Sequence, residues 1–140
     1  MNIRASSARP LFTACLLGLA TLISLRAAAA GELSPDDQQF LKAYTQTHDA
    51  LVADNLAAAS KAAAAMPAQA GAPVASAKSL DDARKAFGAL APRAEKLASG
   101  QPGYHVFFCP MVSKDWVQTG ADAMNPYLGK DMLTCGVEKK

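Results

Sequence analysis

Two periods of apolar and polar positions run along this chain, and the switch between them divides it. Ser34-Pro35-Asp36-Asp37 carries the signals of a helix start: a serine cap, proline at the first helical position, and acids at the positive end of the dipole. Phe40, Tyr44, Leu51 and Asn55 then recur at helical spacing, joined by Leu41, Val52 and Leu56, and the alanine-rich run to Ala65 is intrinsically helical. This pattern predicts one long helix from about Pro35 to Met66. Met66-Pro67 opens a stretch rich in Ala, Gly and Pro, through Gly71 and Pro73, that lacks periodicity and reads as a loop. Ser79-Leu80-Asp81-Asp82 starts a second helix in the manner of a capping box, with an apolar stripe of Leu80, Ala83, Phe87, Leu90, Ala94 and Leu97. Pro92 interrupts that stripe, because its ring would clash with the carbonyl of Gly88, so a kink or two short helices are expected.

After the turn cluster Ser99-Gly100-Gln101-Pro102-Gly103 the period shortens. Tyr104 to Cys109 is aromatic and β-branched, which predicts a strand, and Pro110 should end or bend it. Gly120, Asn125-Pro126, Gly129 and Gly136 then leave room for short elements only. Five of the nine aromatic residues fall between Tyr104 and Tyr127, and the two amphipathic helices are the apolar surface on which they can pack. The expected fold is therefore mainly α: a small bundle of two or three helices with a short β-containing C-terminal segment packed on it. We read residues 31–140 as a single domain, with a helical part at 34–98 and a Cys/Met/aromatic segment at 103–138.

The first 30 residues have another character. Arg4 and Arg9 precede an apolar run from Leu11 to Leu25, and Arg26 is followed by Ala27-Ala28-Ala29-Ala30. This order reads as a secretory signal peptide, too short in its apolar core for a comfortable membrane span. Cys15 lies inside that core rather than at its end, which argues against lipoprotein processing. The whole chain has 14 Lys and Arg against 12 Asp and Glu. Setting aside the three leader arginines leaves 11 against 12. A near-neutral remainder without a basic run argues against nucleic acid as a partner.

The chemistry is concentrated late. Cys109-Pro110-Met111 places two soft donors two residues apart, on one face of an extended chain. Met132-Leu133-Thr134-Cys135 offers a thioether and a thiol three residues apart. If the two pieces converge, Cys109, Met111, Met132 and Cys135 form a set suited to Cu(I). The competing reading is a Cys109–Cys135 disulfide, which in an exported domain would close a loop of about 26 residues and contribute about 3.5 kcal/mol. The two readings exclude one another at any instant. Met124 has no donor at useful spacing and is assigned to packing. His105 lies four residues before Cys109, on the same strand face, and is a candidate further ligand. His48 sits on the apolar stripe of the first helix, where a hydrogen-bonded core role outweighs ligation. Spacings for zinc arms, haem attachment, thioredoxin-type exchange and phosphate loops are lacking, and the acid pairs Asp36-Asp37 and Asp81-Asp82 are explained by helix starts. A binding protein rather than an enzyme is expected.

The ordered motifs His105-Val106-Phe107-Phe108-Cys109-Pro110-Met111, Trp116-Val117-Gln118, Asn125-Pro126-Tyr127-Leu128-Gly129 and Met132-Leu133-Thr134-Cys135-Gly136 resemble a bacterial family of uncharacterised exported domains. These occur alone or fused to the C-terminus of periplasmic adaptor subunits of copper and silver efflux pumps. The helical part matches more loosely, through Leu51-Val52-Ala53-Asp54 and Arg84-Lys85-Ala86-Phe87. The resemblance implies a helical bundle with a cysteine-containing C-terminal segment, handling Cu(I) or Ag(I) in the periplasm. It points to Cys109, Met111, Met132 and Cys135 as the sulfur positions, with His105 beside them, and to an efflux adaptor or copper chaperone as partner. The chain departs from the pattern in its central stretch, Pro67 to Lys78, and at Val112-Ser113-Lys114-Asp115, where a glycine-containing turn is common.

Overall fold

A computed structural model describes residues 31–140; the leader reading falls on residues 1–30 and lies outside them. The described residues are mainly helical, with a small antiparallel sheet at the C-terminus. Helix α1 spans Pro35–Val52, and its Ser34 cap accepts from the Asp37 N–H at 3.2 Å. The single long helix expected to Met66 is instead two. Asp54 takes a left-handed φ of 54°, a conformation its short polar side chain tolerates. Asn55 then caps α2 (Leu56–Ala64), accepting from the Ala58 N–H at 3.0 Å. The alanine tract therefore turns back along α1, and Gln39 Nε2 donates to the Ala65 carbonyl at 2.8 Å. Ala59 and Ala63 are fully buried at that contact, because a methyl group lets two helix backbones approach closely.

The stretch expected as a loop holds a 3-10 turn at Pro67–Gln69 and a one-turn helix α3 (Ala72–Ala75). Val74 from α3 reaches the core. Helix α4 (Leu80–Gly88) starts on the Ser79 cap, and α5 (Ala91–Ala98) carries Pro92 in its first turn. The break at Ala89 and Leu90 is where the proline clash is avoided. Leu90 N–H closes on the Phe87 carbonyl at 2.9 Å in place of a continuous ladder.

Strands β1 (His105–Cys109), β2 (Lys114–Gln118) and β3 (Val137–Glu138) form one antiparallel sheet in the order β2-β1-β3. In register, Cys109 faces Lys114, Phe107 faces Trp116 and Phe108 faces Val137. Sheet and helices share one core. A chain of rings runs through it from Phe40 to Tyr44 (6.1 Å between centroids), Phe87 (4.5 Å), Tyr127 (6.1 Å), Trp116 (6.2 Å) and Phe107 (5.5 Å). That ladder crosses from α1 and α4 into β2 and β1, so the aromatic segment is fastened by the helices.

Arg84 on α4 makes the second fastening. Its Nε donates to the Pro126 carbonyl at 3.1 Å, and its Nη2 reaches the Leu51 carbonyl at 3.3 Å and the Asp54 carboxylate. One nearly buried guanidinium thus closes the break between α1 and α2 and holds the loop that leads to Cys135.

Candidate functional site

Residues Phe107 and Cys109 point into the core from alternate positions of β1, and Cys109 is fully buried. The strand ends there because Pro110 has no N–H to offer the ladder. A four-residue loop, Pro110 to Ser113, returns the chain to Lys114. Cys135 arrives from the other direction. The 3-10 turn Lys130–Met132 leads into it, and its N–H donates to the Met132 carbonyl at 3.3 Å. The two sulfurs meet at 2.9 Å as free thiols, Cys109 buried and Cys135 half-buried.

Asn125 supports this pairing. It is fully buried, and its Nδ2 donates to the Cys135 carbonyl at 2.6 Å. Its Oδ1 accepts from the Tyr127 N–H at 2.8 Å, and its own N–H donates to the Leu133 carbonyl at 2.6 Å. Behind it, Gln118 accepts from Trp116 Nε1 at 2.8 Å and from the Met124 N–H at 3.0 Å, and His48 Nε2 donates to the Met124 carbonyl at 2.7 Å. Helix α1 therefore reaches the segment that sets Cys135. On the far side, Gly136 lies flat against Trp116: a Cβ there would sit 2.3 Å from the ring.

The two thiols differ electrostatically. Burial opposes ionisation of Cys109, but the Cys135 thiol, the nearby N–H groups of Val112 and Met111 and the Asn125 side chain outweigh it and hold its pKa below the usual thiol value. Cys135 is pushed up, first by its hydrogen bond to Cys109, then by desolvation and by the charge of its neighbour. The two ionisations are therefore pushed apart, the buried sulfur being the easier to ionise.

The remaining sequence candidates sort by distance from this pair. Met132 sits one turn before Cys135 and is 39% exposed, and Met111 follows Cys109 by two residues and is 62% exposed. Extended-chain parity would have put Met111 on the Cys109 face. The chain is already turning at Pro110, so the Met111 side chain faces solvent while Cys109 faces inward. His105 does share the Cys109 face, but it stands at the opposite end of β1, about 13 Å away along a strand. Its Nδ1 meets Glu138 Oε1 at 2.7 Å, so the structure does not bring His105 to the sulfur pair. His48 is buried and bonded to Met124 and to Asp49 (2.9 Å), in the core role expected of it. Asn125 was visible in sequence only as a turn residue; nothing local marks it as the residue that holds Cys135.

Among the described residues, no group of three or more His, Cys, Asp or Glu is placed to hold a metal ion, and no helix is long and apolar enough to cross a membrane. A metal here would rest on thiols and thioethers. Compared with protein-family models, curated proteins and solved structures, the chain matches none.

Proposed function

We propose that this protein binds a soft monovalent metal ion, Cu(I) or Ag(I), through Cys109 and Cys135, with Met111 and Met132 as thioether donors on the solvent side. The observation that carries this reading is the 2.9 Å meeting of two free thiols from segments 26 residues apart. Two cysteine sulfurs in contact, with a methionine two residues after one and three residues before the other, supply soft donors that prefer Cu(I) over hard divalent ions. The leader-like first 30 residues and the motif resemblance support a periplasmic setting. In that setting the protein would sequester copper or pass it to an efflux adaptor or chaperone, without catalysis. Competition against a Cu(I) chelator tests the reading. Cys109→Ser and Cys135→Ser should each weaken binding by about 100-fold or more, since each removes an anionic ligand. Unchanged affinity in both variants overturns it.

The same contact favours a second reading, a Cys109–Cys135 disulfide that staples the C-terminal segment with no metal. A bond would draw the sulfurs to about 2.05 Å, a small step from their separation here. Thiol alkylation and mass measurement on protein taken from its native compartment separate the two: a bridged pair takes up no alkylating agent and binds no Cu(I).

A further inference from the structure

Cys109 and Cys135 hold their sulfurs 2.9 Å apart, yet the two residues meet solvent very differently. Cys109 is fully buried and belongs to the core cluster that contains Phe107, Trp116 and Tyr127. Cys135 is half-buried and packs against that cluster from its edge. A close-packed core leaves a thiol from solution no path to Cys109, whereas Cys135 offers part of its surface. Exchange at a disulfide depends on which sulfur the incoming thiol can reach, so this difference decides where a bridge between the two would open.

We infer that Cys135 is an S-thiolation site: a small external thiol opens the Cys109–Cys135 bridge by attack on Cys135 rather than on Cys109. The inference rests on the disulfide reading above and names the sulfur at which that bridge exchanges. Closing the bridge takes two electrons and two protons from the pair, and a small disulfide such as oxidised glutathione accepts them. In the opening direction a glutathione thiolate attacks Cys135 Sγ. A bond forms between the glutathione sulfur and Cys135 while the Cys109–Cys135 bond breaks, and the electron pair of the broken bond leaves with Cys109. Donor groups already face that leaving sulfur, from the Val112 and Met111 N–H groups and the Asn125 side chain. Asn125 also holds the Cys135 carbonyl at 2.6 Å, so the thiolated residue stays beside its partner. Cys109 then closes the bridge again by expelling glutathione, which makes the modification reversible.

Glutathione is the probe. Protein taken from its native compartment and bridged with oxidised glutathione is mixed briefly with reduced glutathione, quenched in acid, and its peptic peptides are mapped by mass. The adduct should fall on Cys135 in about tenfold or greater excess over Cys109. In guanidinium chloride the same reaction should divide the adduct between the two cysteines to within about twofold, because unfolding exposes both sulfurs. Comparable adduct on Cys109 in the folded protein overturns the inference. So does an excess on Cys135 that persists in denaturant, or a folded bridge that glutathione leaves intact. A protein that forms no bridge with oxidised glutathione fails the disulfide reading and the inference with it, whereas a bridge that opens at Cys109 fails the inference alone.

Discussion

Asn125 donates from Nδ2 to the Cys135 carbonyl at 2.6 Å while its backbone N–H holds the Leu133 carbonyl, also at 2.6 Å. One fully buried asparagine thereby fixes the turn that carries the outer thiol onto the inner one. Asn125→Ala leaves the Cys135 carbonyl and the Tyr127 N–H without partners and should cost about 2–3 kcal/mol in denaturant unfolding. Asn125→Asp keeps the acceptor for Tyr127 but sets a carboxylate beside Cys109, where it opposes ionisation of the thiol. Thiolate absorbance titration should show the first ionisation of the pair moving upward in both variants, further in the aspartate.

Because both thiols must ionise to ligate, metal affinity depends on pH. The Cys109 pKa lies below the ordinary thiol value and that of Cys135 above it. Between these two ionisations, loading both sulfurs should release about one proton, and below the lower one about two. Cu(I) affinity measured by chelator competition should therefore climb with pH across the neutral range and level off above the Cys135 ionisation. The apoprotein behaves differently. Depression of Cys109 stabilises the fold above the unfolded thiol pKa and is lost as pH falls through the folded value. Elevation of Cys135 has the opposite sign, lost as pH rises through its own folded value. The two offset, so the reduced apoprotein should show a weaker pH dependence of stability than its metal affinity does.

Gly136 is the narrowest point of the site. An added methyl would meet Trp116 Cη2 at 2.3 Å, and Trp116 is buried with its indole N–H tied to Gln118. The ring has no room to yield, so Gly136→Ala should cost about 1–3 kcal/mol through overpacking. It should also displace Cys135, red-shift the tryptophan fluorescence and reduce the rate at which an oxidant bridges the two cysteines.

Arg84→Lys tests the second fastening. A lysine keeps the charge but cannot span the Pro126 and Leu51 carbonyls and the Asp54 carboxylate together. A loss of about 2–3 kcal/mol is expected. Hydrogen exchange should increase both at the α1–α2 break and in the Asn125 to Tyr127 loop, far apart in sequence but held by one side chain.

Strand β3 has its own clasp. Lys139 is raised above its usual pKa by hydrogen bonds to Glu95 and then Asp115, and its N–H donates to the Val106 carbonyl at 2.8 Å. That contribution is full below the unfolded lysine pKa and is lost as pH rises through the folded one. Lys139→Met should free the end of the chain at neutral pH to about the extent that strong alkali does in wild type. Limited proteolysis after Gly136 reads it.

Much of the architecture was legible from local chemistry. The Ser34 and Ser79 caps are in place, the Pro92 break falls where its ring demands it, and β1 ends at Pro110. The long helix was misjudged because alanine propensity spoke louder than Asp54-Asn55, a stop and restart whose force comes from Arg84, 30 residues away. Strands β2 and β3 were not predicted: Lys114 to Gln118 becomes a strand by pairing with β1, and Val137–Glu138 is too short to carry a period of its own.

For the site, composition and spacing alone picked out the sulfur residues, because soft donors are rare in this chain and fall together late in it. Which of them meet was decided by tertiary structure. The turn at Pro110 sends Met111 outward, the length of β1 keeps His105 away, and a buried asparagine with no local signature brings Cys135 to Cys109. Contacts across 26 residues depend on the path of the chain between them, and that path is set by what the intervening side chains bury and bond.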